Sequence, residues 1–150
     1  MSLVGLLAFH PISRGGSFVD YIWVEKSRRR NGLTRHLFNH TITPIYLIVH
    51  SNNTKALRCY GKRGFVCDDG VPYPPALNEI GMVLANPAEQ TTLPSSLVTS
   101  VWRVGELQED TVLEIYECVR RDRPDLSTVH VRRILGLDDA SSSIVLLHSQ

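Results

Sequence analysis

Apolar residues in the first half of the chain fall into short blocks separated by turn residues. The runs at 3–9 and 18–24, with Pro11 and two glycines between them, predict an antiparallel hairpin. Apolar residues then recur at helical spacing until Pro44, which predicts an amphipathic helix with four inward residues: Leu33, Leu37, Phe38 and Ile42. A short apolar strand is predicted at 46–49. The helix after it is expected to carry three residues on its apolar face: Ala56, Leu57 and Tyr60.

The rest of the chain continues the alternation of strands and helices. Strands are predicted at 65–67 and 80–84. Beyond a polar segment with two prolines, the pattern predicts a strand at 101–107, helices at 110–121 and 128–135, and a closing strand at 144–148. The inward face of the first of these helices is expected to hold Val112, Leu113, Ile115, Tyr116 and Val119. Strands that alternate with helices predict a mixed α/β sheet.

The composition is that of one ordinary globular domain. The chain has 150 residues, of which 43% are hydrophobic and 21% charged, and this excludes collagen, coiled coil and disorder. Cys59, Cys67 and Cys118 form no Cys-x-x-Cys pair, so a disulfide scaffold or a zinc ribbon is not expected. Their pattern favours a reducing compartment, and no apolar run approaches the roughly 20 residues that span a bilayer. We therefore expect a cytoplasmic protein without membrane contact, with the nucleus as an open alternative.

Charge is distributed unevenly along the chain. Residues 1–85 hold 10 Lys and Arg against 5 Asp and Glu, a net charge of +5, whereas residues 86–150 hold 6 against 10, a net charge of −4. The first part therefore favours an anionic ligand. The alternative interpretation is that two segments of one domain attract each other.

A strand-to-helix junction at 23–37, WVEKSRRRNGLTRHL, is the first candidate site. Gly32 at the entry to the helix would leave backbone N–H groups free for a phosphate or pyrophosphate, and the arginines at 28–30 add positive charge. Two other interpretations stay open, a solvated basic loop and a nucleic-acid patch. No interleaved aromatic residues support the second of these.

A second motif lies at 49–65, VHSNNTKALRCYGKRGF. With it, the chain resembles the GNAT superfamily of acetyl-CoA-dependent N-acetyltransferases, whose signature Asn-x-x-Ala-x-x-x-Tyr-x-x-x-Gly-Phe is matched by Asn53, Ala56, Tyr60, Gly64 and Phe65. The other family signature, Arg/Gln-x-x-Gly-x-Gly/Ala, is matched by Arg29 and Gly32, with Thr34 in place of the last small residue. The direct resemblance covers residues 3–84. It implies a mostly antiparallel, twisted sheet flanked by helices.

The resemblance also implies a cofactor, acetyl-CoA, and no metal. Trp23 and Val24 would offer backbone groups to the pantetheine arm and the acetyl carbonyl, and Asn53 would hydrogen-bond the pantetheine. The pyrophosphate would lie against the loop formed by Arg28, Arg29, Arg30, Asn31, Gly32, Leu33 and Thr34.

Two catalytic residues are expected by the same resemblance. Tyr60 would face the cofactor sulfur, where a phenol can give a proton or a hydrogen bond to the departing thiolate. The alternative for Tyr60 is an ordinary core aromatic. Asp20 is close to where other family members place a catalytic carboxylate. His10 and His50 are weaker candidates for the base, and a water chain to solvent could serve instead.

The order of elements departs from the family. GNAT domains normally open with a strand, two helices and a strand, which this chain lacks before 3–9 but has within 95–150. We therefore expect one circularly permuted domain, 1–150, with a cofactor-binding core at 1–85, a linker at 86–94 and the displaced elements at 95–150. The strand at 144–148 should then lie antiparallel beside 3–9. The alternative is an unrelated appendage, which would leave an apolar sheet edge exposed.

The linker must cross most of the sheet. Several strands at about 4.8 Å each amount to roughly 24 Å, and about ten residues reach at most roughly 33–36 Å. Exchange of 95–150 between two chains, which would make a homodimer, is therefore an open alternative.

Three functions are compared on this basis. The leading one is an N-acetyltransferase that moves acetyl from acetyl-CoA to a primary amine of a small molecule or protein, by direct attack in a ternary complex. The second is a GNAT-like module that binds acyl-CoA or a protein without turnover. The third is a basic nucleic-acid-binding domain, which is the least expected.

Overall fold

The computed structural model describes residues 2–86 and 93–150. Its strands are β1 (Ser2–Pro11), β2 (Ser17–Val24), β3 (Ile45–His50), β4 (Val66–Cys67), β5 (Glu79–Leu84), β6 (Leu97–Arg103) and β7 (Ser143–Ser149). Its helices are α1 (Leu33–Phe38), α2 (Thr54–Lys62), α3 (Glu109–Asp122) and α4 (Thr128–Ile134). Short 3-10 turns lie at Lys26–Arg28 and Val104–Glu106. Within the described ranges, no helix is both long and apolar enough to cross a membrane.

The strands form one seven-stranded sheet in the order β4-β5-β3-β2-β1-β7-β6. All neighbouring pairs are antiparallel except β2 and β3, which are parallel. This confirms the predicted fold class, a mixed and mostly antiparallel sheet flanked by helices.

Helices cover both faces of the sheet. Helices α1 and α2 pack on one face with a core that includes Leu7 and Val145, and helices α3 and α4 pack on the other with a core that includes Leu6 and Ile144. Because β1 is covered on both sides, residues 3–9 are all buried. A strand buried on both faces needs a continuous apolar run, and that explains the pattern in the sequence.

The first and last strands are neighbours in the interior of the sheet. Strand β1 pairs antiparallel with β7 from Ser2 opposite Ser149 to Phe9 opposite Ser143, and β6 pairs with the far side of β7. The hydroxyls of Ser2 and Ser149 are 2.8 Å apart. The predicted adjacency of 3–9 and 144–148 is therefore confirmed. Residues 87–92 of the expected linker lie outside the described residues.

The first predicted helix is shorter than expected. It ends at Phe38, whose carbonyl accepts a hydrogen bond from the Thr41 hydroxyl at 2.7 Å. The Ser17 hydroxyl then bonds both the carbonyl and the N–H of Ile42, which ties this segment to the start of β2. Ile42 is consequently 65% exposed and not an inward helical residue.

Two expectations for the second half were also wrong. The strand predicted at 101–107 runs over Leu97–Arg103 and gives way to a 3-10 turn, where the Val104 N–H donates to the Ser142 carbonyl. Leu113 is 59% exposed, and Cys118 is buried instead. Leu113 lies two residues before buried Ile115, about 200° around the helix, whereas Cys118 lies three residues after it and shares its face.

Candidate active site

Strands β2 and β3 separate after a very short contact. They pair only at Ser17 opposite Ile45 and Phe18 opposite Tyr46, although both strands continue well beyond these residues. Over its whole length β3 pairs instead with β5. The separation opens a cleft of about 720 Å³ between the second half of β2 and helix α2. We call it the β2–α2 cleft, and it is lined by residues of β2, the arginine-rich loop and α2, including Tyr21, Ile22, Val24, Arg29, Ala56 and Tyr60.

The register of β2 decides which backbone groups face the cleft. The Glu25 N–H donates to the Val4 carbonyl at 2.8 Å, and in an antiparallel pair the bonded positions recur every second residue. Trp23 therefore directs its backbone toward β1. Ile22 and Val24 direct theirs toward the cleft. Ile22 was not among the residues expected from the sequence, because the strand register sets this alternation.

The arginine loop, residues 28–34, contains two left-handed backbone conformations. Arg30 has φ 73° and Gly32 has φ 78°. The glycine was expected from the sequence but the arginine was not, since non-glycine residues rarely adopt positive φ. No hydrogen bond from elsewhere in the described chain satisfies the backbone N–H groups of residues 30–35. The loop therefore presents consecutive unpaired donors, which is the arrangement that binds an anion.

The Arg29 side chain holds the loop to the rest of the protein. Its Nε donates to the Val24 carbonyl at 2.8 Å, and its Nη2 lies 2.5 Å from Oδ2 of Asp122 at the end of α3. The Trp23 indole N–H donates to the same Asp122 oxygen at 3.0 Å. Arg28 is engaged with Glu25 at 3.6 Å. The sequence offers no signal for Asp122, which is 93 residues from Arg29.

Helix α2 adds more positive charge to the cleft. The cleft is lined by two loop arginines and by Lys55, Arg58, Lys62 and Arg63, against the single carboxylate of Asp122. These residues of α2 and its C-terminal end were not among those expected from the sequence. The Nε of Arg63 is buried and has no hydrogen-bond partner among the described residues, so it is a donor that a ligand could satisfy. The cleft thus fits a polyanionic ligand.

Asn53 caps helix α2. Its Oδ1 accepts a hydrogen bond from the Ala56 N–H at 3.2 Å, which is the usual role of asparagine at a helix start. The side-chain amide N–H groups of Asn53 make no hydrogen bond within the described residues and remain available.

Tyr60 is both a core aromatic and a cleft residue. Its ring packs edge-on against Phe38 and Phe65, at 6.2 and 5.5 Å between centroids. Burial raises the pKa of Tyr60 to about 12. In the described part of the chain its hydroxyl has no hydrogen-bond partner. The phenol therefore stays neutral near pH 7 and can donate a hydrogen bond into the cleft.

Asp20 lies where β2 and β3 begin to separate, but on the opposite face from Tyr60. The register between β1 and β2 shifts after Ala8, so Asp20 is the extra residue of a β-bulge. Its Oδ2 lies 2.8 Å from Nδ1 of His10. Burial raises the pKa of Asp20, and the hydrogen bond from His10 partly opposes this.

The two histidine candidates lie in different surroundings. The Nε2 of His10 is 2.8 Å from the hydroxyl of Tyr73 in the loop between β4 and β5. His50 instead bonds the side-chain amide of Asn78 at 2.8 Å, at the end of β3. The contact between His10 and Asp20 could have been anticipated from the predicted hairpin, which brings the two segments together.

Comparison with known proteins supports the family resemblance. Residues 2–65 match the sequence model of the acetyltransferase (GNAT) family. No curated protein and no solved structure matches the chain. The matched segment runs from β1 through α2 and contains both signatures, the arginine loop and the separated strands. Among the described residues, no group of three or more His, Cys, Asp or Glu could hold a metal ion. Over this matched segment, from β1 through α2, the chain is similar to the GNAT acetyltransferase family.

Proposed function

We propose that this protein is an acetyl-CoA-dependent N-acetyltransferase that transfers the acetyl group to a primary amine by direct attack in a ternary complex. The observation that carries the proposal is the β2–α2 cleft. It combines an unpaired edge of β2, an entrance lined by Lys and Arg side chains, and the neutral, buried Tyr60. An acyl carrier with a polar, extended arm and a polyphosphate end needs these three features.

The cofactor would bind along the opened edge of β2. The pantetheine arm carries amides, and these can bond the outward backbone groups of Ile22 and the N–H of Val24, as an added strand would. The Val24 carbonyl already accepts a hydrogen bond from Arg29. Asn53 is at the start of α2 and could donate from its free amide. The pyrophosphate would lie on the unpaired N–H groups of the arginine loop, with Arg63 among the cations that surround it.

Tyr60 would act as a hydrogen-bond donor to the departing thiolate. A phenol with a pKa of about 12 is a far weaker acid than a thiol, whose ordinary pKa is about 8.5. Complete proton transfer would therefore be uphill by about 5 kcal/mol. A hydrogen bond directed at the charge that develops on sulfur has no such cost and lowers the barrier.

The domain organisation enters the proposal as a circular permutation. Residues 95–150 would supply the strand, two helices and strand with which the family normally opens. Their placement supports this, because β6, β7, β1 and β2 are successive neighbours in the sheet. Read in that order, with Gln150 leading into Met1, they would form a continuous antiparallel series.

Calorimetric titration with acetyl-CoA and a turnover assay test the function together. Release of coenzyme A would be followed with a thiol reagent across a monoamine, a polyamine, an arylalkylamine and a peptide N-terminus. A blank is needed because Cys59 and Cys67 are exposed. Binding in the micromolar range with turnover of at least one amine is the expected result. Binding without turnover would indicate a binding module, and no binding would overturn the proposal.

A further inference from the structure

A connected group of polar and aromatic side chains lies beside the point where β2 and β3 cease to pair. His10 is bonded through Nδ1 to Asp20 and through Nε2 to the Tyr73 hydroxyl, both at 2.8 Å. Phe18 packs against the rings of His10 and Tyr73, at 5.6 and 4.8 Å between centroids. We call His10, Phe18, Asp20 and Tyr73 the His10 cluster. Its ring contacts hold the imidazole in one orientation.

The hydrogen bonds determine which nitrogen of His10 is basic. A carboxylate can only accept hydrogen bonds, so the proton on the imidazole resides on Nδ1, next to Asp20. The lone pair is then on Nε2, and the Tyr73 hydroxyl donates to it. An imidazole oriented in this way by a carboxylate is the arrangement that accepts a proton at Nε2.

Asp20 is the carboxylate in direct contact with His10. The pKa of Asp139, in the segment between α4 and β7, is lowered mainly by hydrogen bonds from Ser141 and to a smaller extent by His10. The Asp20 Oδ2 is also 3.9 Å from the position that a Cβ on Gly136 would take, so the carboxylate lies under the end of α4. The Asp20 carboxylate therefore contacts the imidazole from the α4 side of the sheet.

The position of the cluster suits the reacting amine. Asp20 directly precedes Tyr21, a cleft residue, at the point where β2 and β3 cease to pair. Tyr60 belongs to the core on the α1 and α2 face, whereas the carboxylate of Asp20 lies on the other face. An amine that attacks the thioester and a thiolate that leaves it need proton transfers at different atoms, and groups on opposite faces can serve them separately.

We propose that His10 is the base that takes the proton from the attacking amine, with Asp20 as the residue that positions it. This rests on the proposed acetyltransferase function. The amine nitrogen forms a bond to the carbonyl carbon, and the carbon–sulfur bond breaks with its electron pair remaining on sulfur. The proton lost by nitrogen moves to Nε2 of His10 and passes from there to solvent. The Tyr73 hydroxyl marks the place where the donor N–H of the amine would lie.

Removal and chemical replacement of the imidazole test the inference. In His10→Ala, kcat with the best amine of the panel should fall about 10²-fold, while the acetyl-CoA affinity stays within threefold of wild type. Added imidazole should restore part of this activity, because it can enter the space left by the side chain. It should not do so in His10→Gln, where that space stays filled. His50→Ala is the matched control and should retain wild-type turnover.

Two further variants separate the roles within the cluster. Asp20→Asn should lower kcat without changing the acetyl-CoA affinity, because an amide can donate to Nδ1 and favour the wrong tautomer. Tyr73→Phe leaves the imidazole in place and should lower the KM for the amine, since no hydroxyl competes for Nε2. A loss of kcat in Tyr73→Phe as large as that in His10→Ala would assign the proton to Tyr73 and overturn the inference.

The outcome also distinguishes this inference from the function on which it rests. If the wild-type protein turns over an amine and His10→Ala is equally active, His10 is not the base. The same follows if His10→Ala is impaired and added imidazole does not restore its activity. Both results leave the acetyltransferase function intact. Absence of turnover in the wild-type protein with every amine would remove both.

Discussion

Arg29 and Asp122 join the arginine loop to the far end of helix α3, with Nη2 and Oδ2 2.5 Å apart. The two side chains are 41% and 33% exposed, so solvent screens the pair and it adds little to global stability. The pair has a larger effect on the charge of the β2–α2 cleft. It places one carboxylate at the entrance of a cleft whose other charged lining residues are all cations.

Asp122→Asn should strengthen the binding of acetyl-CoA. Arg29 keeps its bond to the Val24 carbonyl, and the asparagine can still accept from Trp23, so the loop stays in place while one negative charge is lost. At low salt we expect a gain of about twofold to fivefold in affinity, measured by calorimetry, and a smaller gain at high salt. Asp125→Asn removes the same charge from an exposed pair with Arg123 and is the control. Weaker binding by Asp122→Asn would contradict this.

Gly32→Asp should abolish acetyl-CoA binding. The change adds a carboxylate beside the unpaired N–H groups and places a side chain at φ 78°. Gly15→Asp is a matched control, because Gly15 also has a positive φ, 95°, and a Cβ there meets nothing within 4 Å. That variant bears the same cost in backbone strain and should bind normally. If a folded Gly32→Asp protein binds acetyl-CoA with wild-type affinity, the loop is not the pyrophosphate site.

The alkaline stability of the protein should depend on Tyr60. Its pKa is about 12 in the folded protein against 10.0 ordinarily, so the unfolded chain releases this proton first as pH rises. The contribution of this phenol to the free energy of unfolding is complete below pH 10. It declines between about pH 10 and 12, and the loss is about 1.4 kcal/mol near pH 11. Tyr60→Phe should lack this part of the decline in denaturant unfolding, and Tyr116→Phe should retain it. Identical alkaline profiles for Tyr60→Phe and wild type would contradict the burial of this phenol.

The same Tyr60→Phe variant should lower turnover about 10²-fold with little change in acetyl-CoA affinity, because it removes one hydrogen-bond donor from the developing thiolate. Steady-state kinetics with the best amine measure this. Wild-type turnover would leave Tyr60 as a core aromatic only.

A rearranged chain tests the permutation. Joining Gln150 to Met1 through a short glycine-rich turn and opening the chain between 86 and 95 should give a folded protein that binds acetyl-CoA, because Ser2 and Ser149 are already paired. Deletion of 95–150 should give insoluble protein, since β1 loses β7 and exposes an apolar edge. A soluble, monomeric 1–94 fragment that binds acetyl-CoA would make 95–150 an appendage. If the full-length protein is a dimer that a longer linker converts to a monomer, the segment is exchanged between chains.

Local patterns in the sequence were enough to predict most of the fold. The continuous apolar run in β1 and the helical spacing in α3 each report burial directly, so the elements could be inferred. The pairing of β1 with β7 was expected from the order of elements that the family resemblance implies. The end of α1 could not be inferred, because it depends on the hydroxyl of Ser17 holding Ile42 from 25 residues away. Motif residues that line the cleft, such as Arg29 and Tyr60, could also be named from the sequence. The positions of Asp122 and Tyr73 could not, because they depend on tertiary packing.

The pairing of Ser2 with Ser149 bears on how the protein folds. These partners are 147 residues apart, and their strands lie in the interior of the sheet. During synthesis, β1 can pair with β2 early, but its other edge has no partner until β7 has been made. Contacts between residues so far apart in the sequence raise the entropic cost of closing the loop between them, and folding is slow as a result. We expect nascent chains to depend on chaperones to shield β1 until the last strand arrives.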